Sequence, residues 1–407
     1  MKQMWVALPS KLKWLLLTMV IANIGSALFQ PFLALYVKEL GASVAEVGLY
    51  FTIMAISPVA FRILGGWFSD SMGRVQTVAL GSVAGLAGFT ALWLAPTWQW
   101  LIPGGLLMSL GRSLVGPSFR AYTAECAGLE MRAQVFGFTD AIFTVCQIVG
   151  PPLGGYIVEA AGYQELFAVA VGFILVATVV RTWNAWGMPF RWHELQPATL
   201  KAGLGGLGAL ILGGGLLTWI FAIDAVRDMG FSLSYDFLAL YQQEVGGLGE
   251  SQIGWIASIG AMTTALVLVP AGRLSDRLGE RKLMALGSVL AAAATALFVN
   301  VASFLGFMAA MMLLNVAFAF FGPAFDSLLS KAVPSNRLGL TYGLFSTTIS
   351  LAAMPAPAIG AQLWQNVSPQ LPFYLTAGVS LVMAVPIWLK LRAPEGDRAA
   401  AEAPVAG

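Results

Sequence analysis

Apolar runs long enough to cross a lipid bilayer recur along the whole of this 407-residue chain. Six lie near 14–37, 45–67, 76–95, 98–119, 134–158 and 163–183. Six more lie near 214–241, 252–272, 283–300, 303–325, 339–363 and 371–390. A helix needs about 20 apolar residues to cross the hydrocarbon layer, and none of these runs alternates as a barrel strand does. The expected fold is therefore an all-α integral membrane bundle of twelve transmembrane helices. A soluble alternative fails on composition: 58% of residues are hydrophobic and only 10% charged, against about 25% charged in a soluble domain. A formal charge of +2 cannot build the dense basic face that nucleic acid requires. The two cysteines, Cys126 and Cys146, suggest no structural disulfide, and the lone histidine, His193, excludes a histidine-rich metal site. No metal or cofactor is expected. The first run, Trp14 to Tyr36, is too long for a cleaved signal peptide and is expected to remain in the mature protein.

Charge asymmetry predicts the orientation, because Lys and Arg beside span ends stay cytoplasmic. Lys2, Lys11 and Lys13 precede the first run. Alternate loops then carry Arg74; Arg120 and Arg132; Arg191 and Lys201; Arg277, Arg281 and Lys282; and Lys331 and Arg337, before Lys390, Arg392 and Arg398 in the tail. The opposite loops hold Lys38 with Glu39, Glu159, Glu165, Glu244 and Glu250. This predicts a multi-pass protein of the cytoplasmic (inner) membrane with both termini in the cytoplasm. The polar stretch after Pro394 is expected to be disordered.

The chain also repeats itself. At an offset of about 205, Phe32 to Tyr36 (FLALY) meets Phe237 to Tyr241 (FLALY), and Glu39 meets Glu244. At 206, Gly48 meets Gly254, Ser69-Asp70 meets Ser275-Asp276, Gly73 meets Gly279, Gly116-Pro117 meets Gly322-Pro323, Gly137 meets Gly343 and Pro151 meets Pro357. Two pseudo-symmetric six-helix halves follow, 1–183 and 214–392, joined by a linker at 184–213 and followed by a tail at 393–407. Duplicated halves with a midplane site between them are an architecture of secondary transporters. The apolar, Gly-rich stretch from Gly203 to Leu217 is either an interfacial segment or the start of the seventh span.

Between the second and third runs stands Gly66-Trp67-Phe68-Ser69-Asp70-Ser71-Met72-Gly73-Arg74, and at the matching place in the second half Gly272-Arg273-Leu274-Ser275-Asp276-Arg277-Leu278-Gly279-Glu280-Arg281-Lys282. These resemble the G-x-L-[SA]-D-R-x-G-R-[RK] loop of the major facilitator superfamily, departing at Phe68, Ser71 and Glu280. The resemblance covers residues 14 to 392 and implies a twelve-span, alternating-access transporter of the drug/proton antiporter kind. Glycines permit the tight turn, and an Asp at the membrane surface can accept from helix amides or pair with Arg. Gly66, Asp70, Gly73, Arg74 and Gly272, Asp276, Arg277, Gly279 are accordingly expected to form a gate latch; capping alone is the competing reading. Arg112 with Gly116 resembles the family's fourth-span arginine pattern, and its duplicate is Phe318. Gly150-Pro151-Pro152-Leu153-Gly154-Gly155 resembles the exporter-associated G-P-x-x-G-G motif, with Cys146 where the longer pattern has Gly. Its prolines remove backbone donors, and Gly150, Gly154 and Gly155 admit a close neighbour.

Ionisable residues inside an apolar span are expensive and point to function. With the fourth span ending near Arg120 and the fifth starting near Gln134, Arg112 and Asp140 lie about 12 Å and 9 Å deep and are expected to pair. Asp224, Arg227 and Asp228 share one face of the seventh span by their spacing, with Asp236 further on; the first span offers Thr18, Ile21, Ala22 and Gln30 or Pro31 there. A carboxylate that exchanges an Arg partner for an apolar setting can take up and release a proton. Asn23, Gln147 and Asn315 could touch substrate, although interhelical bonding is an equal reading, and Asp326 could join the cytoplasmic polar network. The expected function is proton-coupled efflux of small, largely apolar molecules by a monomer in the lipid bilayer. An importer or lipid flippase of the same fold is the alternative. No HExxH and no GxxxxGK[ST] supports an enzyme or an ATP-driven pump, so no catalytic residue is assigned.

Overall fold

The computed structural model describes residues 9–187, 215–333 and 338–391. Every regular element among them is helical. In the first half α1 (Ser10–Phe29) passes through a 3-10 turn into α2 (Leu33–Glu39), followed by α3 (Val44–Met72), α4 (Arg74–Trp93), α5 (Leu101–Ala161) and α6 (Tyr163–Ala185). In the second, α7 (Leu216–Ser232) and α8 (Leu238–Glu244) are followed by α9 (Glu250–Leu278), α10 (Glu280–Val299), α11 (Phe304–Ala332), α12 (Leu338–Ala353), α13 (Ala356–Asn366) and α14 (Leu371–Lys390).

Eight helical segments among the described residues are long and apolar enough to cross a membrane. The remaining expected crossings also fall on helical segments. Val44–Pro58 is an apolar stretch within α3, a turn separates α12 from α13, and a 3-10 turn at Tyr235–Phe237 separates α7 from α8. The seventh span starts at Leu216, after Gly215 at φ 95°. Most of the expected linker and tail, with His193, falls outside the described residues.

α5 holds two antiparallel arms within one helical assignment. Phe119 and Phe143 lie with ring centroids 6.3 Å apart, whereas a straight helix would separate them by about 36 Å. The chain thus turns back near residue 131. Helix persists through the polar stretch between the two apolar runs, so the hairpin's midpoint is displaced from where hydropathy placed it.

The two copies of the duplicated loop motif each reduce to a single-residue connection. Gly73 (φ 104°) joins α3 to α4 and Gly279 (φ 87°) joins α9 to α10, a conformation that costs other residues steric strain. The duplication is equally visible in the core. Tyr36 donates to the Leu92 carbonyl at 2.8 Å and Tyr241 to the Val299 carbonyl at 3.1 Å. Each tyrosine is buried in an aromatic cluster, Phe167 against Tyr36 and Phe298, Phe307 and Phe373 against Tyr241.

Bonds between the halves gather at the end away from the termini. Glu159 accepts from the Ser251 amide at 3.0 Å, Tyr163 donates to Glu250 at 3.2 Å, and Gln365 accepts from the Ala45 amide at 3.1 Å. Lys38 pairs with Glu244 across the same end. The close approaches there are crossed copies of one another. Gly48 lies against Pro357 and Ala361, while Gly254 lies against Pro151 and Pro152. Any side chain at either glycine would overlap backbone of the other half.

Candidate substrate cavity and coupling residues

Between the halves lies a cavity of about 500 Å³, within the range typical of pockets for drug-sized ligands. Its walls are mostly apolar and aromatic, including Phe29, Phe51, Met54, Met108, Met311 and Phe318. Polar groups reach in from both halves: Gln30, Arg112 and Gln147 from the first, Asp236, Gln242 and Asn315 from the second. Asn315 is fixed there, donating to Met311 O at 2.8 Å and accepting from Thr264 at 2.9 Å. Pro31 and Asp236 occupy equivalent places in the 3-10 turns that break the first and seventh spans, and both turns, with Gln30 and Tyr235, line the cavity.

A second pocket of about 420 Å³ lies inside the first half and shares Phe29, Gln30, Met108, Arg112 and Gln147 with the central one. Its polar lining includes Asn23, Ser82 and Arg181. Asn23 donates to Met19 O at 2.7 Å, which satisfies part of its amide locally.

Arg112 faces both cavities and makes no hydrogen bond or ion pair with a described residue, Tyr50 being within its electrostatic reach. The expected pairing with Asp140 is absent. With the α5 hairpin centred near residue 131, Asp140 sits opposite Tyr122, about 15 Å along the axis from Arg112, and its exposed side chain lines neither cavity. Gln147, close to the residue opposite Arg112, takes the place at the cavity that Asp140 was expected to fill. The error came from taking the hydropathy break at Arg120 and Gln134 as the helix ends.

The stripe on α7 forms as its spacing predicts. Arg227 Nη2 and Nε donate to Asp224 Oδ1 at 2.9 and 3.2 Å, and the guanidinium lies 4.0 Å from the centre of the Phe321 ring on α11. Asp228 is within electrostatic reach of both, and Asp326 within reach of Asp224. A half-buried pair beside further carboxylates is an arrangement in which partners can be exchanged.

Two residues with no assigned role in the sequence reading prove central. Arg181 on α6 is 4% exposed: Nε donates to Thr18 Oγ1 at 3.1 Å, Nη1 to Ser82 Oγ at 2.9 Å, and Nη2 to Thr18 O at 3.1 Å and Met19 Sδ at 2.9 Å. No carboxylate pairs with it among the described residues. Position 181 stands close to the end of its apolar run, where an arginine reads as a cytoplasmic anchor. Asp236 lines the central cavity, and the broken helix that turns it there leaves only a weak trace in the sequence.

At the gate motifs, Arg74 donates to Glu125 Oε1 and Ser69 Oγ at 3.1 and 2.9 Å. In the second copy Glu280 accepts from Lys331 at 2.6 Å and Ser327 at 2.9 Å. The surroundings of Gly66 and the side chain of Asp70 are outside what the structure describes. Asp276, Arg277 and Gly272 lie at the matching end of α9, and Asp276 is exposed without a hydrogen bond or ion pair among the described residues. In the exporter-like motif Gly150 and Gly154 abut Ala27 and Leu28 of α1, Gly155 abuts Glu250 and Ser251 of α9, and Pro151 meets Gly254. Cys146 Sγ lies 3.8 Å from Val20 O, so the position that departs from the pattern also faces α1.

The duplicated motifs, the two bundles and the cavity between them accord with a match to the family model described as "Major Facilitator Superfamily" over residues 15–246 and 220–406. The chain belongs to the Major Facilitator Superfamily. Curated relatives include the tetracycline resistance protein, class G, of Vibrio anguillarum, 27% identical over 82% of this chain and 85% of that one. Multidrug resistance protein 1 of Bacillus subtilis is 23% identical over 93% and 96%. Among solved structures, a bacterial homologue of the iron transporter ferroportin matches with TM-score 0.74 at 16% identity, over 94% and 98% of the chains. The peptide transporter POT matches with TM-score 0.73 at 18% identity, over 95% and 96%; both share the fold. This superfamily member is therefore a multi-pass membrane transporter of small molecules, and its family is not in general one of enzymes.

Proposed function

We propose that this chain is an alternating-access, proton-coupled exporter of small, largely apolar compounds. It acts as a monomer in the cytoplasmic membrane, with the 184–213 linker and both termini in the cytoplasm. The observation that carries this reading is the apolar cavity between halves whose mutual bonds lie at the end away from the termini. With cytoplasmic termini, that conformation is closed to the outside and receives substrate from within. Resistance and multidrug names among the relatives support efflux.

Coupling is assigned to the α7 stripe. In one state Asp224 is held by Arg227; when helices move, an Asp that loses its Arg in an apolar setting takes up a proton, and the gradient biases the equilibrium between states. Asp236, in the cavity itself, and Asp228 supply further carboxylates. The gate glycines and Arg74, Asp70, Asp276 and Arg277 are assigned to switching at the cytoplasmic end.

The test uses proteoliposomes with an imposed pH gradient and a fluorescent apolar dye. Wild-type protein moves dye only with the gradient, and Asp224→Asn lowers the initial rate by at least about tenfold, as removal of one partner of a half-buried pair implies. Dye movement indifferent to the gradient and to protonophore would remove proton coupling. Undiminished movement in Asp224→Asn, Asp228→Asn and Asp236→Asn alike would remove these carboxylates from it.

A further inference from the structure

The charged side chains that line the first-half pocket have one sign. Arg112 and Arg181 both line the 420 Å³ pocket, and no acidic residue among the described ones does. Arg181 spends its donors on neutral acceptors, Thr18, Ser82 and Met19, which fix its geometry without cancelling its charge. Arg112 has no bond to a described residue at all, although its guanidinium offers a planar fork suited to a carboxylate. An uncompensated cation in a low-dielectric span is costly unless something else completes it. The second half shows what a charge-compensated arginine looks like, because there Arg227 is answered by Asp224 within 2.9 Å. At the places equivalent to Arg112 and Arg181 stand Phe318 and Ile387, so the scaffold itself needs neither cation.

We propose that the first-half pocket is a recognition site for the anionic end of an amphipathic substrate, a carboxylate on a largely apolar body. This deepens the exporter reading and rests on it. The carboxylate is bound directly by Arg112, with Gln147 at the shared wall. Arg181, tied to α1 and α4, is a positioning residue that adds its field to the pocket. The apolar body occupies the adjoining cavity of about 500 Å³ between the halves. Asp236 lines that central cavity only, on the wall from the other half, which disfavours placing the anion there. The two volumes suit a drug-sized molecule, and the proposal commits to a free carboxylate rather than a lipid head group.

The experiment is a fluorescence titration of the protein in phosphatidylcholine nanodiscs with pyrenebutyrate, its methyl ester and pyrenebutylamine. The acid is expected to bind at least about tenfold tighter than the ester, as a charge-assisted bidentate contact implies. Arg112→Gln brings that ratio to within about twofold, whereas Arg112→Lys, which keeps the charge and loses the planar fork, retains only part of it. Arg181→Gln lowers the ratio partially, and Arg181→Lys, checked for monodispersity, covers failure of that variant to fold. An acid-to-ester ratio near one, a ratio that survives Arg112→Gln, tighter binding of the amine, or no binding of the acid would overturn the proposal. So would a preference abolished by replacing phosphatidylcholine with phosphatidylglycerol, which would make the lipid head group the occupant. Everted vesicles separate this from the exporter reading. Acid preference without dye transport keeps the site and removes efflux; transport of the ester without acid preference keeps efflux and removes the site.

Discussion

The two halves share a scaffold and have diverged in charge. At the 206-residue offset, Arg74 meets Glu280 and Glu125 meets Lys331. The ion pair Arg74–Glu125 of the first half therefore recurs in the second as Glu280–Lys331, with its polarity reversed. Glu280, which reads in the sequence as a departure from the family motif, is the residue that keeps the pair. Deeper in the membrane the divergence has a different character. Met19 accepts from Arg181 in one half, whereas its equivalent at the 205 offset of the first and seventh spans, Asp224, pairs with Arg227 in the other, and Arg112 and Arg181 are replaced by Phe318 and Ile387. Helix packing constrains shape at these positions and leaves charge free, so duplication preserved glycines and tyrosines while the charged sites specialised.

The largest effect is expected where the halves are most alike. Gly48→Val and Gly254→Val each place a side chain against backbone of the opposite half. Since packed interfaces do not deform continuously, each should lower transport by more than about tenfold by holding the outer end open. Reaction of Gln30→Cys with a membrane-impermeant thiol reagent from outside should rise in both. Sensitivity in only one of the two glycines would break the equivalence of the sealed end.

A smaller effect tests the reversed pair. Glu280→Lys and Lys331→Glu should each slow transport by roughly two- to fivefold, the scale of a partly exposed ion pair. The double variant, which gives the second half the polarity of the first, should recover most of the rate. If the double variant is worse than either single, Glu280 serves Ser327 or another group rather than Lys331, and the pairs are not equivalent.

The smallest effect belongs to Asp276→Asn. Its exposed side chain has no partner among the described residues, so thermal stability should change by less than about 0.5 kcal/mol. A large loss of transport at unchanged stability would show that the second motif engages its aspartate only in the other conformation, as the latch reading of the duplicated loop requires.

The bundle, its duplication and the glycine connections of its repeated loop motif were legible in the sequence for concrete reasons. Apolar runs of bilayer length admit little besides helices, and a positive-φ glycine at residues 73 and 279 leaves a mark that survives duplication. Isolated charges in apolar runs exposed Arg112 and the Asp224–Arg227 face, because the spacing of a single helix decides which side chains are neighbours. What depended on two helices meeting was not legible. Hydropathy marks where the membrane ends, not where a helix ends, so the register of the α5 hairpin, and with it the separation of Arg112 from Asp140, emerged only from the packing of Phe119 on Phe143. The same holds for Arg181. Its sequence position resembles a membrane-edge anchor, and only the contact of α6 with α1 and α4 brings its guanidinium under Thr18 and Ser82. Local spacing fixes a residue's face on its own helix; its partners across the bundle are set by long-range packing, which no single run of sequence encodes.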